Sequence, residues 1–238
     1  MTTSLSKSYE YGDYPSNKAA LVVAGFNGNV SNVENAALYL ERIGYNVFAY
    51  DYSSDVFYSG EPEYLTGLVD EITEDFKDRT TGYEVIQPTG VSIGAGIAWA
   101  TQKRAEEVGE TQFIKPGIYA AAGANSADGI FSTPFSNPVM YGLMTNIRKA
   151  FINNGYSQED LRNIWKEVHQ PPKTGFAIAL GGLDYVVKYP SIMKDIRKWQ
   201  DEDKIPIVTK TIKHLGHTGT IKWFNAHMPS MVEIVKKV

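Results

Sequence analysis

Short apolar runs alternate with helix-like patterns over most of this 238-residue chain. A strand that is apolar throughout belongs in a sheet covered on both faces, and strands that alternate with helices are typical of a parallel sheet. The sequence therefore predicts an α/β fold with one doubly wound, mostly parallel sheet of about six to seven strands. The predicted strands are Ala19–Ala24, Asn46–Tyr50, Glu84–Thr89, Phe113–Ala122, Phe176–Leu180 and Pro206–Ile212.

Helical periodicity follows most of these runs. The predicted helices are Val33–Ile43, Tyr64–Arg79, Ile93–Val108, Ser191–Gln200 and Ile221–Val238. Residues 1–15 are polar and rich in tyrosine, and they predict either an arm without regular structure or a short edge strand. Because no internal repeat interrupts the alternation, we interpret residues 1–238 as a single domain.

The stretch between the fourth and fifth predicted strands, 123–174, is longer than one crossover helix requires. It contains a predicted helix, Gln158–Val168, for which Ser157 and Asp160 form a capping pattern. We interpret the stretch as a helical, cap-like insertion. Such a segment either enlarges the core or covers the carboxyl ends of the strands, where open α/β sheets bind ligands, and we favour the second.

Composition excludes several classes of function. The chain has no cysteine, which rules out disulfides, thiolate metal ligands and cysteine nucleophiles. Its net charge of −4 disfavours a nucleic-acid partner. No apolar run approaches the ~18 residues of a membrane span, and no signal-peptide pattern opens the chain. We therefore expect a cytoplasmic location, although a secreted form whose leader has been removed would have the same sequence.

Residues 90–96 read Gly-Val-Ser-Ile-Gly-Ala-Gly. The first five match G-x-S-x-G, in which a serine lies on a tight turn between a strand and a helix. Gly90 and Gly94 have a steric reason to be glycine, because larger side chains around so sharp a turn collide. The pattern predicts that Ser92 is a nucleophile with the Ile93 N–H beside it. The alternative is a glycine-rich connection with an incidental serine.

A serine nucleophile needs a base, usually a histidine that a carboxylate orients. Asp184 follows the fifth predicted strand and His217 follows the sixth, each in a loop that contains glycines. The alternatives are an aspartate that caps a helix at 184, and His214 as the base. We prefer His217, because His214 lies at the end of the strand rather than in the loop.

The other histidines fit this role less well. His169 and His227 lie in or near predicted helices, where surface or packing positions are more common.

Pro88 is an irregularity in the third predicted strand, because it removes a hydrogen-bond donor from a strand that should be central. It predicts a bulge in that strand.

The chain order Ser92, Asp184, His217, the G-x-S-x-G turn and the Gly216-His217 pair resemble the α/β-hydrolases, from about Ala19 to the C-terminus. The resemblance implies the α/β-hydrolase fold with an abbreviated start to the sheet. It also implies an oxyanion hole made by the backbone N–H groups of Phe26 and Ile93. Phe26 lies in Ala24-Gly25-Phe26-Asn27-Gly28, where alanine replaces the family's usual histidine.

Some α/β-hydrolases place the acid after the fourth strand, where this chain has Asp128, but we prefer Asp184. The resemblance implies a carboxylesterase-like serine hydrolase that cleaves an ester or thioester through an acyl-enzyme on Ser92. The apolar and aromatic side chains of 123–174 predict that the acyl group is apolar and small to medium in size. The expected partner is a small-molecule ester, and neither a cofactor nor a metal is expected. The alternatives are an acyltransferase, peptidase or C–C hydrolase with the same residues, and a binding protein without catalysis. The oligomeric state stays open.

Overall fold

A computed structural model describes residues 6–26, 29–107, 114–123, 125–132 and 138–238. The strands in these ranges are β1 (Ser6–Tyr11), β2 (Lys18–Val23), β3 (Asn46–Tyr52), β4 (Val85–Val91), β5 (Gly117–Ala120), β6 (Phe176–Gly181) and β7 (Ile207–Ile212). Over the described residues they form one seven-stranded sheet in the order β1-β3-β2-β4-β5-β6-β7. Only β1 is antiparallel to its neighbour. The predicted α/β class and the mostly parallel sheet are confirmed.

Helices connect the strands. They are α1 (Glu34–Arg42), α2 (Asp55–Tyr58), α3 (Glu63–Thr80), α4 (Ile93–Glu107), α5 (Ser126–Ser132), α6 (Pro138–Asn153), α7 (Gln158–Ile164), α8 (Tyr189–Asp201), α9 (His217–Ala226) and α10 (Met228–Val235). A 3₁₀ turn, Val30–Asn32, precedes α1. None of the helices in the described ranges combines the length and the apolar character needed to cross a bilayer.

The two faces of the sheet are packed by different helices, and β6 shows how one strand serves both. Phe176, Ile178 and Leu180 point to the face covered by α3, α4, α6, α7 and α8. Ala177 and Ala179 point to the opposite face, which is covered by α1, α9 and α10. Successive side chains of a strand alternate between faces, so the run FAIAL places bulky residues on one side and small ones on the other. For brevity we call these sides the α4 face and the α9 face.

The proline in the central strand is accommodated by its neighbour. Beside β4, Ile86 forms an isolated bridge with Ile114, and regular pairing with β5 begins only at Thr89 and Ile118. Two residues of β4, Gln87 and Pro88, therefore lie opposite the three residues 115–117. The side-chain amide of Gln87 donates to the carbonyl of Pro116 at 2.9 Å. The pairing of β4 is irregular at Pro88, as predicted. The extra residue, however, lies in the neighbouring segment 115–117 and not in β4 itself.

Three predicted elements differ from the structure. The fourth strand is shorter, because Pro116 precedes the regular pairing of β5. The C-terminal helix is divided at His227, with Pro229 in the first turn of α10. The helix predicted from Gln158 ends at Ile164, although the predicted capping box at its start is present. Val108, Phe113, Asn27 and Gly28, which also fall in predicted features, lie outside the described residues.

The segment between β5 and β6 is attached to the loop that joins α2 and α3. The side-chain amide of Asn154 donates to the carbonyls of Ser59 and Gly60, at 3.2 and 3.1 Å. The indole N–H of Trp165 donates to the carbonyl of Pro62 at 2.9 Å. Gly60 has a φ of +71° and lies against the backbone of α6, so a side chain there would collide with it. These contacts hold α6 and α7 against the body of the domain.

Candidate active site

The strand order places a crevice beside β2 and β4. From β2 the chain proceeds to β3 on one side, whereas β4 to β7 follow in order on the other side. Ligands of open α/β sheets bind at the carboxyl ends of the strands where the order reverses in this way. Phe26 follows β2 and Ser92 follows β4, so both predicted site residues lie at this reversal.

Ser92 occupies a tight turn between β4 and α4. Its φ of +55° is in the left-handed region, which side chains rarely adopt, and its N–H donates to the carbonyl of Ala120 at 2.8 Å. A Cβ on Gly90 would stand 2.8 Å from the Cα of Ala95. Strain of this kind persists only where the surroundings impose it, and it is concentrated at functional sites. The turn presents the serine hydroxyl above the sheet edge, as the G-x-S-x-G pattern predicts.

The same turn lies against the loop that follows β2. A Cβ on Gly94 would collide with the carbonyl of Ala24, and one on Gly25 would stand 3.2 Å from the Cβ of Ser92. Glycine at these positions lets the backbone around Phe26 approach Ser92 and Ile93. Ile93 is the first residue of α4, and the first N–H groups of a helix have no acceptor within it. The ring of Phe26 packs against Phe57 at a centroid distance of 5.8 Å.

The structure brings Ser92, His217 and Asp184 together. The Oγ of Ser92 lies 2.8 Å from Nε2 of His217, and Nδ1 of His217 lies 2.8 Å from Oδ2 of Asp184. A carboxylate can only accept, so Nδ1 carries the proton and Nε2 is left to accept the serine hydroxyl. The side chains of His217 and Asp184 are only 8% and 3% exposed. Residues far apart in the sequence thus form one continuous hydrogen-bonded chain.

Backbone groups fix Asp184 in this position. Its Oδ1 accepts from the N–H groups of Val186 and Val187, at 2.9 and 3.0 Å, which leaves Oδ2 for His217. The glycines before it permit a close approach of two loops, because a Cβ on Gly182 would lie 2.6 Å from the carbonyl of Lys213. The loops that carry the acid and the histidine therefore pack directly on each other.

The residues considered as alternatives to Asp184 and His217 either contact other side chains or are exposed. Asp128 accepts from Nε of Arg162 at 2.7 Å and from the amide of Gln158 at 2.9 Å, both of α7. His214 is exposed. His227 is also exposed and stacks on Trp223, with 4.6 Å between ring centroids. None of the three makes a described hydrogen bond to Ser92 or His217.

Comparison with known proteins extends the description of the fold. No protein-family model and no curated protein matches the sequence. Solved structures do match: an esterase of Pyrococcus furiosus has a TM-score of 0.64 at 16% identity, over 94% of this chain and 82% of that one. An α/β-hydrolase enzyme from the metagenome of lagoon sediments at Mar Chica, Morocco, gives 0.57 at 17% identity, over 98% and 93%. The chain has the α/β-hydrolase fold. A structure from work on carboxylesterases of Nitrososphaera gargenis also matches, with a TM-score of 0.58 at 13% identity, over 98% of this chain and 96% of that one.

In this α/β-hydrolase fold a cavity of about 570 Å³ opens beside Ser92. Its volume is in the range of small-molecule sites. Phe26 and Phe57 line it near the serine, and Met144 and Ile147 of α6 line it on the α4 face. Thus α6 contributes both to the core and to the cavity wall.

His169 also lines the cavity, a position that the sequence did not predict. It is 5% exposed, and its Nε2 accepts from the backbone N–H of Ser126 at 3.1 Å. Burial lowers the pKa of His169 to about 4, against a smaller opposing effect of the Asp128 charge. The ring is therefore neutral at pH 7, with its proton on Nδ1. Among the described residues Nδ1 has no hydrogen-bond partner, and leaving a buried donor unpaired costs about 1–3 kcal/mol.

No local pattern in the sequence could have identified His169 as part of the cavity. It lies five residues beyond the end of α7 and just before Pro171 and Pro172, which resembles an ordinary helix exit. Its place in the α/β-hydrolase fold depends on how the chain after α7 packs against α4. The indole N–H of Trp99 on α4 donates to the carbonyl of Val168 at 3.0 Å and fixes the adjacent residue.

Proposed function

We propose that the protein is a carboxylesterase-like serine hydrolase, in which Ser92 is the nucleophile, His217 the base and Asp184 the residue that orients the base. The hydrogen-bonded chain from Asp184 through His217 to Ser92 carries this proposal. Solved structures described as esterases support it, and at identities of 13–16% their likeness to this chain is a likeness of fold.

The chemistry follows from the donors and acceptors. Ser92 Oγ attacks the ester carbonyl carbon while its proton passes to Nε2 of His217. The resulting oxyanion accepts hydrogen bonds from the N–H groups of Phe26 and Ile93, whose individual loss would cost roughly 3–4 kcal/mol of transition-state stabilisation. The bond to the leaving oxygen then breaks, and that oxygen takes the proton from His217.

Water completes the cycle. It gives a proton to His217 Nε2 as its oxygen bonds to the acyl carbon, and the carbon–Oγ bond then breaks as Ser92 recovers the proton. The products are a carboxylic acid and an alcohol. A thioester would follow the same steps and release a thiol. Every proton transfer passes through Nε2 of His217, and the first and last exchange a proton with Ser92 Oγ, 2.8 Å away.

We further propose that α5, α6 and α7 form a cap on the site and that the cavity holds a small-to-medium apolar acyl group. Phe57, Met144 and Ile147 support this, since all three present apolar side chains to the cavity. Asn125 and Ser126, at the start of α5, add polar groups to the same cavity wall.

Covalent labelling tests the nucleophile. A fluorophosphonate should add one phosphonyl group to the purified protein, measured by intact mass, and Ser92→Ala should abolish the adduct. Ser126→Ala is the matched control, because Ser126 lines the same cavity beside the other histidine. We expect it to retain the label. A protein that is neither labelled nor able to hydrolyse p-nitrophenyl butyrate would contradict the proposed function.

A further inference from the structure

Nδ1 of His169 is a buried hydrogen-bond donor in the cavity wall, and the described residues supply no acceptor for it. Its Nε2 is occupied by the N–H of Ser126, at 3.1 Å. Nδ1 therefore carries the proton, and among the described residues this N–H is unpaired. Buried polar groups are nearly always paired, so an unpaired one in a cavity wall indicates a ligand or an ordered water as its partner.

Gly96 determines what can reach this donor. It lines the cavity together with His169, and a Cβ built on it would stand 3.6 Å from Nδ1 and 3.4 Å from Cε1 of the ring. In the described part of the chain, no other heavy atom lies within 4 Å of that Cβ position, apart from the helix backbone and chain neighbours. The missing side chain of Gly96 thus leaves space of about one methyl group directly beside the N–H.

The donor lies beside Gly96, the fourth residue of the helix that begins directly after Ser92. At the helical rise, Gly96 lies about 6 Å along α4 from Ser92. An extended chain advances roughly 1.2 Å per bond, so a substrate whose carbonyl carbon is at Ser92 and whose chain runs along α4 would reach Gly96 after about four to five bonds.

The positions of the two histidines indicate which part of the substrate lies near His169. His217 begins α9 and lies on the α9 face, whereas His169 follows Trp165 and Val168, which pack in the core of the α4 face. On the proposed function, His217 gives its proton to the leaving group, so the leaving group lies on the side of His217. The acyl chain then extends to the other side, towards α4 and His169.

We propose that His169 selects acyl chains that carry an oxygen acceptor, such as a ketone oxygen, about four to five bonds from the scissile carbonyl carbon. The rest of the acyl chain is aliphatic, because Met144 and Ile147 form the wall beyond. This inference rests on the proposed function and adds the substrate class to it. A buried donor distinguishes such chains from alkyl chains, since an alkyl chain would cover the N–H without pairing it.

Two esters with the same leaving group provide the test. p-Nitrophenyl 4-oxopentanoate places a ketone oxygen at the required position, and p-nitrophenyl pentanoate has the same chain length without it. We expect kcat/KM to favour the oxo ester by about tenfold, after division by the ratio of the two esters' rates with hydroxide to remove their intrinsic reactivity.

Two variants connect that preference to His169. His169→Gln places an amide oxygen near the position of Nε2, where it can accept from Ser126, and removes the Nδ1 donor. Gly96→Ala leaves the histidine in place and fills the space beside Nδ1 at ordinary contact distance. In both variants we expect the preference to fall to about twofold or less. Gly142→Ala adds the same methyl group to a glycine of α6 that faces open space, and it should keep the full preference.

The outcomes distinguish a failure of the role of His169 from a failure of the proposed serine hydrolase function. Pentanoate hydrolysis without a preference for the oxo ester would overturn the role of His169 and leave the serine hydrolase intact. A preference that survives both His169→Gln and Gly96→Ala would also overturn it, because the selectivity would then arise elsewhere. If neither ester is hydrolysed and Ser92 is not labelled, the proposed function fails, and this inference fails with it.

Discussion

Two histidines, His217 and His169, line one cavity, and their partners differ at each ring nitrogen. His217 has a carboxylate at Nδ1 and a hydroxyl at Nε2. His169 has a backbone N–H at Nε2 and no partner among the described residues at Nδ1. A ring whose Nδ1–H is held by a carboxylate can take the hydroxyl proton at Nε2, whereas a buried neutral ring with an unpaired N–H can only donate from it. The surroundings of the two rings therefore suit one to proton transfer and the other to recognition.

The largest expected effect is on the rate of ester hydrolysis. His217→Ala should lower kcat/KM for p-nitrophenyl butyrate on the order of 10⁴-fold or more, because Ser92 loses its base. His169→Gln should lower it less than about tenfold, because this alkyl ester makes no hydrogen bond to Nδ1. Initial rates on variants shown to be folded by circular dichroism provide the measurement. Equal losses in the two variants would remove the proposed distinction between the histidines.

The two aspartates extend the same comparison. Asp184→Asn should lower kcat roughly 10³–10⁴-fold, because an amide no longer holds the Nδ1 proton of His217 in place. Asp128→Asn should lower it less than about tenfold, because Asp128 pairs with Arg162 of α7 instead. Steady-state kinetics on both variants decides between them. If Asp128→Asn had the larger effect, the acid would have to be reassigned to the position after β5.

Acid stability should report on His169. Its folded pKa of about 4 is below the value of 6.5 for an unperturbed histidine, so the unfolded chain binds this proton more readily. The stabilisation from the neutral ring is complete above pH 6.5 and is lost as the pH falls towards 4. The loss is at most about 3 kcal/mol.

Urea unfolding between pH 7.5 and 4 measures this contribution. The free energy of unfolding should fall less steeply with acidification in His169→Gln than in the wild type, since the titrating ring is absent. The carboxylates titrate in both proteins, so the difference between the curves isolates the histidine. Parallel curves would show that His169 is not held neutral by burial.

The smallest effects distinguish two glycines on α4. Gly94→Ala should destabilise the fold by about 1–3 kcal/mol, because the new methyl group collides with the carbonyl of Ala24. Gly96→Ala should change stability by about 1 kcal/mol or less, in the stabilising direction, because its methyl group fits beside His169 and alanine favours a helix. Thermal unfolding followed by circular dichroism is sufficient. Comparable losses in both variants would show that the space beside His169 is smaller than described.

The sequence predicted what depends on local signals. β6 is a continuous apolar run and β7 is β-branched except for Lys210, and each strand is followed by a glycine-containing loop that carries a polar residue at the sheet edge. The order of Asp184 and His217 after these strands could therefore be read directly. Asp184 and His217 lie near Ser92 because β4, β6 and β7 are parallel, and the carboxyl ends of parallel strands share one edge of the sheet.

Features that depend on packing between distant segments were missed or wrong. The fourth strand is shorter than predicted because Pro116 has no N–H to donate and regular pairing with β4 begins only after it. No local pattern indicates the partner of Gln87, whose side-chain amide donates to the carbonyl of Pro116. His169 was assigned to a surface or packing role for the same reason: its position depends on the path of the chain after α7, which no local pattern specifies.

The attachment of α6 and α7 to the loop before α3 has a consequence for binding kinetics. Asn154 and Trp165 already hold these helices in place through hydrogen bonds to residues 59–62. A wall that is ordered before the substrate arrives loses little conformational entropy when it binds. Association should therefore be a single fast step whose observed rate rises linearly with substrate concentration, without a slower ordering phase. Weakening that attachment with Asn154→Ala should introduce such a phase.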